Sequence, residues 1–158
     1  MSRSRGHRSE APADPRADER EICFRRGLTP SNERFERGLA VMQAIDPQQT
    51  VRILGSFSAI APDLAAFLVE YAFGDIGSRP GLDLKQRELA AVAALAALGT
   101  AGPQLQARLH GALNLGWSAQ ELVEVLMQIS VHAGFPAAIN ALVELYAVLQ
   151  QRDAKTAT

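Results

Sequence analysis

Three short interruptions cut the C-terminal half of this chain, and they constrain its fold more than any other feature. Gly99 and Pro103 bracket the first, Gly116-Trp117-Ser118 forms the second, and Gly134-Phe135-Pro136 the third. Glycine just past a helix end accepts a left-handed backbone, and proline suits the first turn of the next helix. The stretches between them, 84–98, 103–116, 118–132 and about 136–151, carry apolar residues at helical spacing. Links of so few residues make consecutive helices pack as hairpins. Two starts are marked by reciprocal capping boxes, Asp83-x-x-Gln86 and Ser118-x-x-Glu121.

Upstream, Phe35, Leu39, Met42 and Ile45 recur by four, three and three, with Ser31 or Asn32 as the cap of a first helix. Asp46-Pro47 stops it. Residues 49–60 are mixed and fit a short helix. Pro62-Asp63 opens another, with Leu64, Phe67, Leu68 and Tyr71 on one face. Gly74 to Gly81 holds three glycines and an Arg-Pro step, and reads as a loop. No strand pattern and no long repeat is present, so the sequence predicts an all-α domain of about six helices.

Composition agrees. Aromatic residues are 6% of the chain, and its apolar mass is mainly Ala, Leu and Val. Ala and Leu are strong helix formers, and small residues favour close-packed helices. The longest apolar run, Leu89 to Leu98, has ten residues, against the ~20 that a bilayer requires. It reads as a buried core helix.

A net charge of -1 gives no basis for nucleic acid or a membrane surface as partner. The single cysteine, Cys23, allows no internal disulfide and no cysteine-based metal site. Residues 1–29 hold seven arginines and five acids with almost no apolar content before Ile22, the composition of a disordered arm that folding does not need. The acids argue against a mitochondrial leader, and an apolar signal core is missing, so a cytoplasmic location is expected. The domain is expected over 30–152, followed by a flexible end at 153–158.

The helix at 118–132 carries the candidate chemistry. At ~100° per residue, Glu121, Gln128 and His132 fall in a stripe roughly 40° wide. Each residue also has a plainer role. Glu121 completes a capping box, Gln128 suits a solvated face, and His132 sits at a helix C-terminus, where the dipole favours a cation. Still, a histidine beside apolar surface is what a proton donor near neutral pH requires. His110 borders the apolar face of the preceding helix. Two histidines without a third ligand make a poor metal site. Arg79 and Arg87 flank the loop before residue 84. Arg87 lies in a first helical turn, where a cation opposes the dipole, so it calls for an anionic partner: Glu88, Asp83 or a bound carboxylate.

Several pieces together, in order over about residues 33–150, resemble the carboxymuconolactone decarboxylase family, of the AhpD-like fold. They are Arg37-Gly38-Leu39, Tyr71-Ala-Phe-Gly-Asp75, Arg79-Pro-Gly-Leu82, Arg87, Leu109-His110, Gly116, Glu121 to Leu126 and Gly134-Phe-Pro-Ala-Ala138. The peroxidase-associated branch of that superfamily carries Glu, eleven residues, Cys-x-x-Cys, then His four residues on. Counted from Glu121, those places hold Ala133, Pro136 and Asn140. Without sulfur, disulfide exchange is excluded at that site.

What remains resembles the decarboxylase branch. The resemblance implies a cofactor-independent carboxy-lyase acting on a carboxylated γ-lactone in aromatic breakdown. It also implies a homo-oligomer, trimer or hexamer, with no nucleic-acid or membrane partner. On that reading Arg79 and Arg87 anchor the carboxylates. His110 and His132 polarise the lactone carbonyl and deliver a proton, and Glu121 orients a histidine. Phe73 and Gly77 stand where the family often has tryptophan, and His132 where tyrosine is common, so the pocket wall differs. Two other readings fit the same scaffold: a lactone isomerase or hydrolase, and a non-catalytic helical assembly module. A pocket gathering His110, Glu121 and His132 favours an enzyme; separate exposure of the three favours the module.

Overall fold

The computed structural model describes residues 33–57 and 60–156. The expected arm at 1–29, Cys23 and the proposed caps Ser31 and Asn32 lie outside the described residues. Among those described, seven helices and no strand are present: α1 (Glu33–Ile45), α2 (Pro47–Phe57), α3 (Pro62–Phe67 continuing as Leu68–Gly77), α4 (Leu84–Leu98), α5 (Gly102–Asn114), α6 (Ala119–Ala133) and α7 (Phe135–Thr156). The fold is all-α, and no described helix is long and apolar enough to cross a membrane.

Local chemistry sets the boundaries. The Asp46 carboxylate accepts from the backbone N–H groups of Gln48 and Gln49 at 2.9 and 3.1 Å. Pro47 has no N–H to satisfy, so one Asp-Pro pair ends α1 and starts α2. Both expected capping boxes are formed, at Asp83–Gln86 and Ser118–Glu121. Gly99, at φ 69°, adopts the left-handed turn that closes α4.

Two stretches differ from the expected layout. The supposed loop from Gly74 is still helical to Gly77, because α3 widens into π geometry over Leu68–Gly77. The i→i+5 repeat places Leu68 and Phe73 on one face. Gly74 is needed for packing: a Cβ there would collide with the Arg34 carbonyl of α1, and one at Gly38 with the Val69 carbonyl of α3. The two helices thus cross with backbones almost touching. Residues 153–156, expected to be flexible, continue α7. That end is tethered, with Arg152 donating to the Asn114 amide oxygen at 2.9 Å and Lys155 to that of Gln48 at 3.3 Å.

Two apolar clusters result. Phe35, Leu39, Met42, Leu54, Val69 and Phe73 fill the space among α1, α2 and α3. Val92, Leu105, Leu109, Leu122, Leu126 and Leu145 fill that among α4 to α7. The seam between the clusters is where α4 and α5 face α1, α2 and α3.

Candidate active site

A cavity of about 420 Å³ lies in that seam, within the ~300–1,000 Å³ range of small-molecule sites. Met42, Ile45, Ile53, Phe57, Leu68 and Phe73 form one wall, and Leu95, Pro103 and Ala107 the other. Its polar groups are few: Asp46, Gln49, Thr50, Gln104, Glu88 and Arg108.

Glu88 is the unusual member. It projects from the second turn of α4, only 2% exposed, and with Thr50 is one of two buried polar residues described. Thr50 donates to the Asp46 carbonyl at 2.9 Å and is satisfied locally. Glu88 is met from α5 by Arg108, whose Nη1 lies 3.1 Å from Oε2 and 3.4 Å from Oε1. The guanidinium carbon stands 5.0 Å over the Phe73 ring, a cation–π contact that holds it at the cavity wall. Gly111, one turn along α5, makes room. A Cβ there would come within 2.6 Å of Ile45 Cγ2 and 2.8 Å of Glu88 Oε1.

Burial pushes the Glu88 carboxyl above the usual glutamate range. Arg108 opposes this by its charge and hydrogen bond, and Asp46 adds a smaller upward push. Desolvation wins because the carboxylate is nearly sealed while its partner is 28% exposed and shares its charge with solvent. An acid whose protonated form is favoured by burial, beside a cation that binds carboxylates, in an apolar cavity, is equipped for proton delivery to a small anion.

The residues singled out from the sequence are placed elsewhere. Glu121 and His132 lie at opposite ends of α6, eleven residues and so roughly 16 Å apart. A shared stripe is a shared face, not a shared height. Glu121 is exposed, bonded to the Ser118 backbone N–H at 2.8 Å and its hydroxyl at 2.7 Å. The Ser118 backbone bond, then its hydroxyl, hold that carboxyl below its usual range, which suits a cap and not a proton donor. His132 is exposed and pairs with Gln128 at 3.3 Å. His110 is half-buried and pairs with Gln151 at 3.2 Å. The three do not meet within one chain, and none lines the cavity.

The anionic partner expected for Arg87 is a pair of backbone carbonyls. The guanidinium donates to Leu82 at 3.2 Å and Arg79 at 2.8 Å, fastening the loop before α4. Arg79 is exposed on that loop and supplies its carbonyl to this clamp. Among the described residues no group of three or more His, Cys, Asp or Glu gathers to hold a metal.

Glu88 and Arg108 were missed, yet the sequence held a signal. The Glu-x₁₁-Cys-x₂-Cys-x₃-His spacing can be counted from Glu88 instead of Glu121. It then falls on Thr100, Pro103 and Ala107, and the last two line the cavity with Glu88. Neither count meets a cysteine.

Comparison with known proteins supplies the family. The sequence profile of the carboxymuconolactone decarboxylase family matches residues 62–145. The chain is 32% identical over 111 residues to the 4-carboxymuconolactone decarboxylase of Acinetobacter baylyi, covering 70% of this chain and 82% of that one. It is 29% identical over 120 residues to an uncharacterised 15.0 kDa protein of Paracoccus denitrificans, covering 75% and 90%. A shorter match, 34% over 77 residues, is to the nitrosuccinic acid decarboxylase of Metarhizium robertsii, covering 48% and 52%. The chain belongs to the carboxymuconolactone decarboxylase family.

Proposed function

We propose that this protein is a decarboxylase of a small carboxylated substrate, a γ-lactone of the 4-carboxymuconolactone kind, and that the Glu88–Arg108 cavity is its active site. The observation that carries this is a buried carboxyl, raised by desolvation, facing an apolar cavity beside an arginine. Two relatives named as decarboxylases support the reaction class. Aromatic breakdown, where such a lactone arises, is the corresponding setting.

The chemistry assigns each group a task. Arg108 binds and orients a substrate carboxylate through its planar fork. When the C–CO₂ bond breaks, its electron pair moves into the unsaturated lactone, and charge grows on the carbonyl oxygen. Gln49 and Gln104 are the neutral amides of the cavity able to donate there. Carbon dioxide leaves, and protonated Glu88 returns a proton to the carbon skeleton as general acid. The apolar walls keep water from competing for the dienolate.

Separation of His110, Glu121 and His132 would by itself favour a non-catalytic module; the seam cavity supplies the site they do not form. The test is carbon dioxide release from 4-carboxymuconolactone and related unsaturated lactones. No release from any of them, with parent and Glu88→Gln alike, would sink the reading.

The homo-oligomer expected from the resemblance is retained as part of this proposal. Phe135, Ile139, Val143 and Tyr146 run along one side of α7, each more than half exposed. Met127 and Val131 of α6 are also more than half exposed. A second copy of this chain is the occupant proposed for that surface, since a self-complementary patch closes into a symmetric pair.

A further inference from the structure

We propose that the seam cavity takes up a proton at Glu88 as it binds a carboxylate, with Arg108 shared between the protein's carboxyl group and the ligand's carboxylate. The inference rests on the cavity being the substrate site, and it concerns when the catalytic proton arrives.

Both contacts from Arg108 to Glu88 come from one nitrogen, Nη1, at 3.1 and 3.4 Å. Neither Nε nor Nη2 bonds a described residue, so an edge of the fork remains for a ligand carboxylate. Arg108 is also the more exposed partner, its side chain 28% exposed where that of Glu88 is nearly sealed. It can therefore reach an entering anion while Glu88 stays sealed.

Charge counting then decides the outcome. The charged groups facing Glu88 are Arg108 from α5 and Asp46 from the α1–α2 junction; α3 contributes only Leu68 and Phe73 to the cavity. With Glu88 ionised, Asp46, Glu88 and Arg108 sum to one negative charge. A ligand carboxylate makes two, in a cavity with mostly apolar walls. Two carboxylates sharing one guanidinium cannot both stay ionised at low cost, and the more desolvated one protonates. That one is Glu88. Decarboxylation itself consumes one proton: RCOO⁻ + H⁺ gives RH + CO₂. The proton taken up on binding is the one Glu88 later delivers to carbon, so the site is loaded before chemistry begins.

The probe is 5-oxotetrahydrofuran-2-carboxylate, a saturated γ-lactone acid with no alkene to accept the electron pair. Its binding is measured by calorimetry in buffers of different ionisation enthalpy, over about pH 6–9. The expected result is uptake rising toward one proton per probe bound, with affinity falling about tenfold per pH unit where uptake is complete. Glu88→Gln should bind the probe with no uptake, and Arg108→Gln should bind at least about tenfold more weakly. γ-Butyrolactone, which has no carboxylate, should cause no uptake in the parent, a control that needs no variant to fold. Absence of probe binding, binding without uptake at every pH, or uptake that persists in Glu88→Gln would each overturn the proposal. Uptake without carbon dioxide release from unsaturated lactones would overturn the decarboxylase reading and leave this one standing. Release without uptake would do the reverse.

Discussion

Glu88 and Arg108 meet at 3.1 Å between α4 and α5, and the carboxylate of that pair is far more buried than the guanidinium. The asymmetry makes it a poor stabilising pair, because desolvation of the acid outweighs what a partly solvated arginine returns. Its use is chemical. Glu88→Gln keeps the shape and removes the proton. If Glu88 is the general acid, kcat on an active lactone should fall about 10²–10⁴-fold with the fold intact by circular dichroism. Turnover at the parent rate would remove Glu88 from the mechanism.

The same pair fixes the sign of a stability effect. Glu88 is raised in the folded chain, so the folded state holds this proton to higher pH than the unfolded state does. Its contribution is full below the ordinary glutamate value and is lost as pH rises through the folded one. Denaturant titrations of the parent and Glu88→Gln should therefore diverge across that window. The glutamine variant should gain relative to the parent as pH rises. A parent that gains instead would show that Arg108 dominates desolvation.

Gly111 offers a steric test of the site. A methyl group there must displace both Ile45 and the Glu88 carboxylate. Gly111→Ala should cost about 1–3 kcal/mol by overpacking, despite alanine's better helix propensity. Thermal unfolding should show a drop of about 2–4 °C per kcal/mol. An unchanged melting temperature would mean that Ile45 and Glu88 yield to the methyl group at no cost.

Most of the fold was legible because its signals are local. Asp83, Ser118, Gly99 and the Asp46-Pro47 step act within a turn of where they stand, and each does in the structure what its type requires. Gly74 and Gly77 misled in the other direction: glycine marks either a turn or a close helix crossing, and the choice depends on α1, some forty residues earlier. The site was less legible for two reasons. Periodicity gives angle but not height, which is why Glu121 and His132 share a stripe but not a pocket. And Glu88 gains its meaning from Arg108, Gly111 and the Asp46 end of α1, none of which is near it in sequence.

Glu121 should behave as a cap. Ser118→Ala removes the hydroxyl that accepts from the Glu121 N–H at 3.2 Å and should cost about 0.5–2 kcal/mol. Glu121→Gln retains hydrogen-bonding atoms and should leave kcat within about twofold of the parent. His132→Gln should do the same, since His132 is exposed at the far end of α6. A loss of about 10²-fold or more in either variant, with stability retained, would return these residues to the active site, most simply through contact with a second copy.

The exposed face of α7 is the remaining test. Phe135, Ile139, Val143 and Tyr146 succeed one another by four, four and three residues, so they lie along one side of the helix over roughly 16 Å. Glu144 faces elsewhere, accepting from the Gln106 amide at 2.6 Å, and leaves the stripe without a charge of its own. A second copy placing the same stripe against this one buries both without stranding a charge. The parent should therefore sediment as an oligomer at micromolar concentration. Val143→Asp puts a charge at the centre of the stripe and should shift the protein toward the single-chain mass without lowering its helical content. A parent that already sediments as a single chain would refute the self-association proposal. A Val143→Asp variant that stays fully assembled would place the contact on another face.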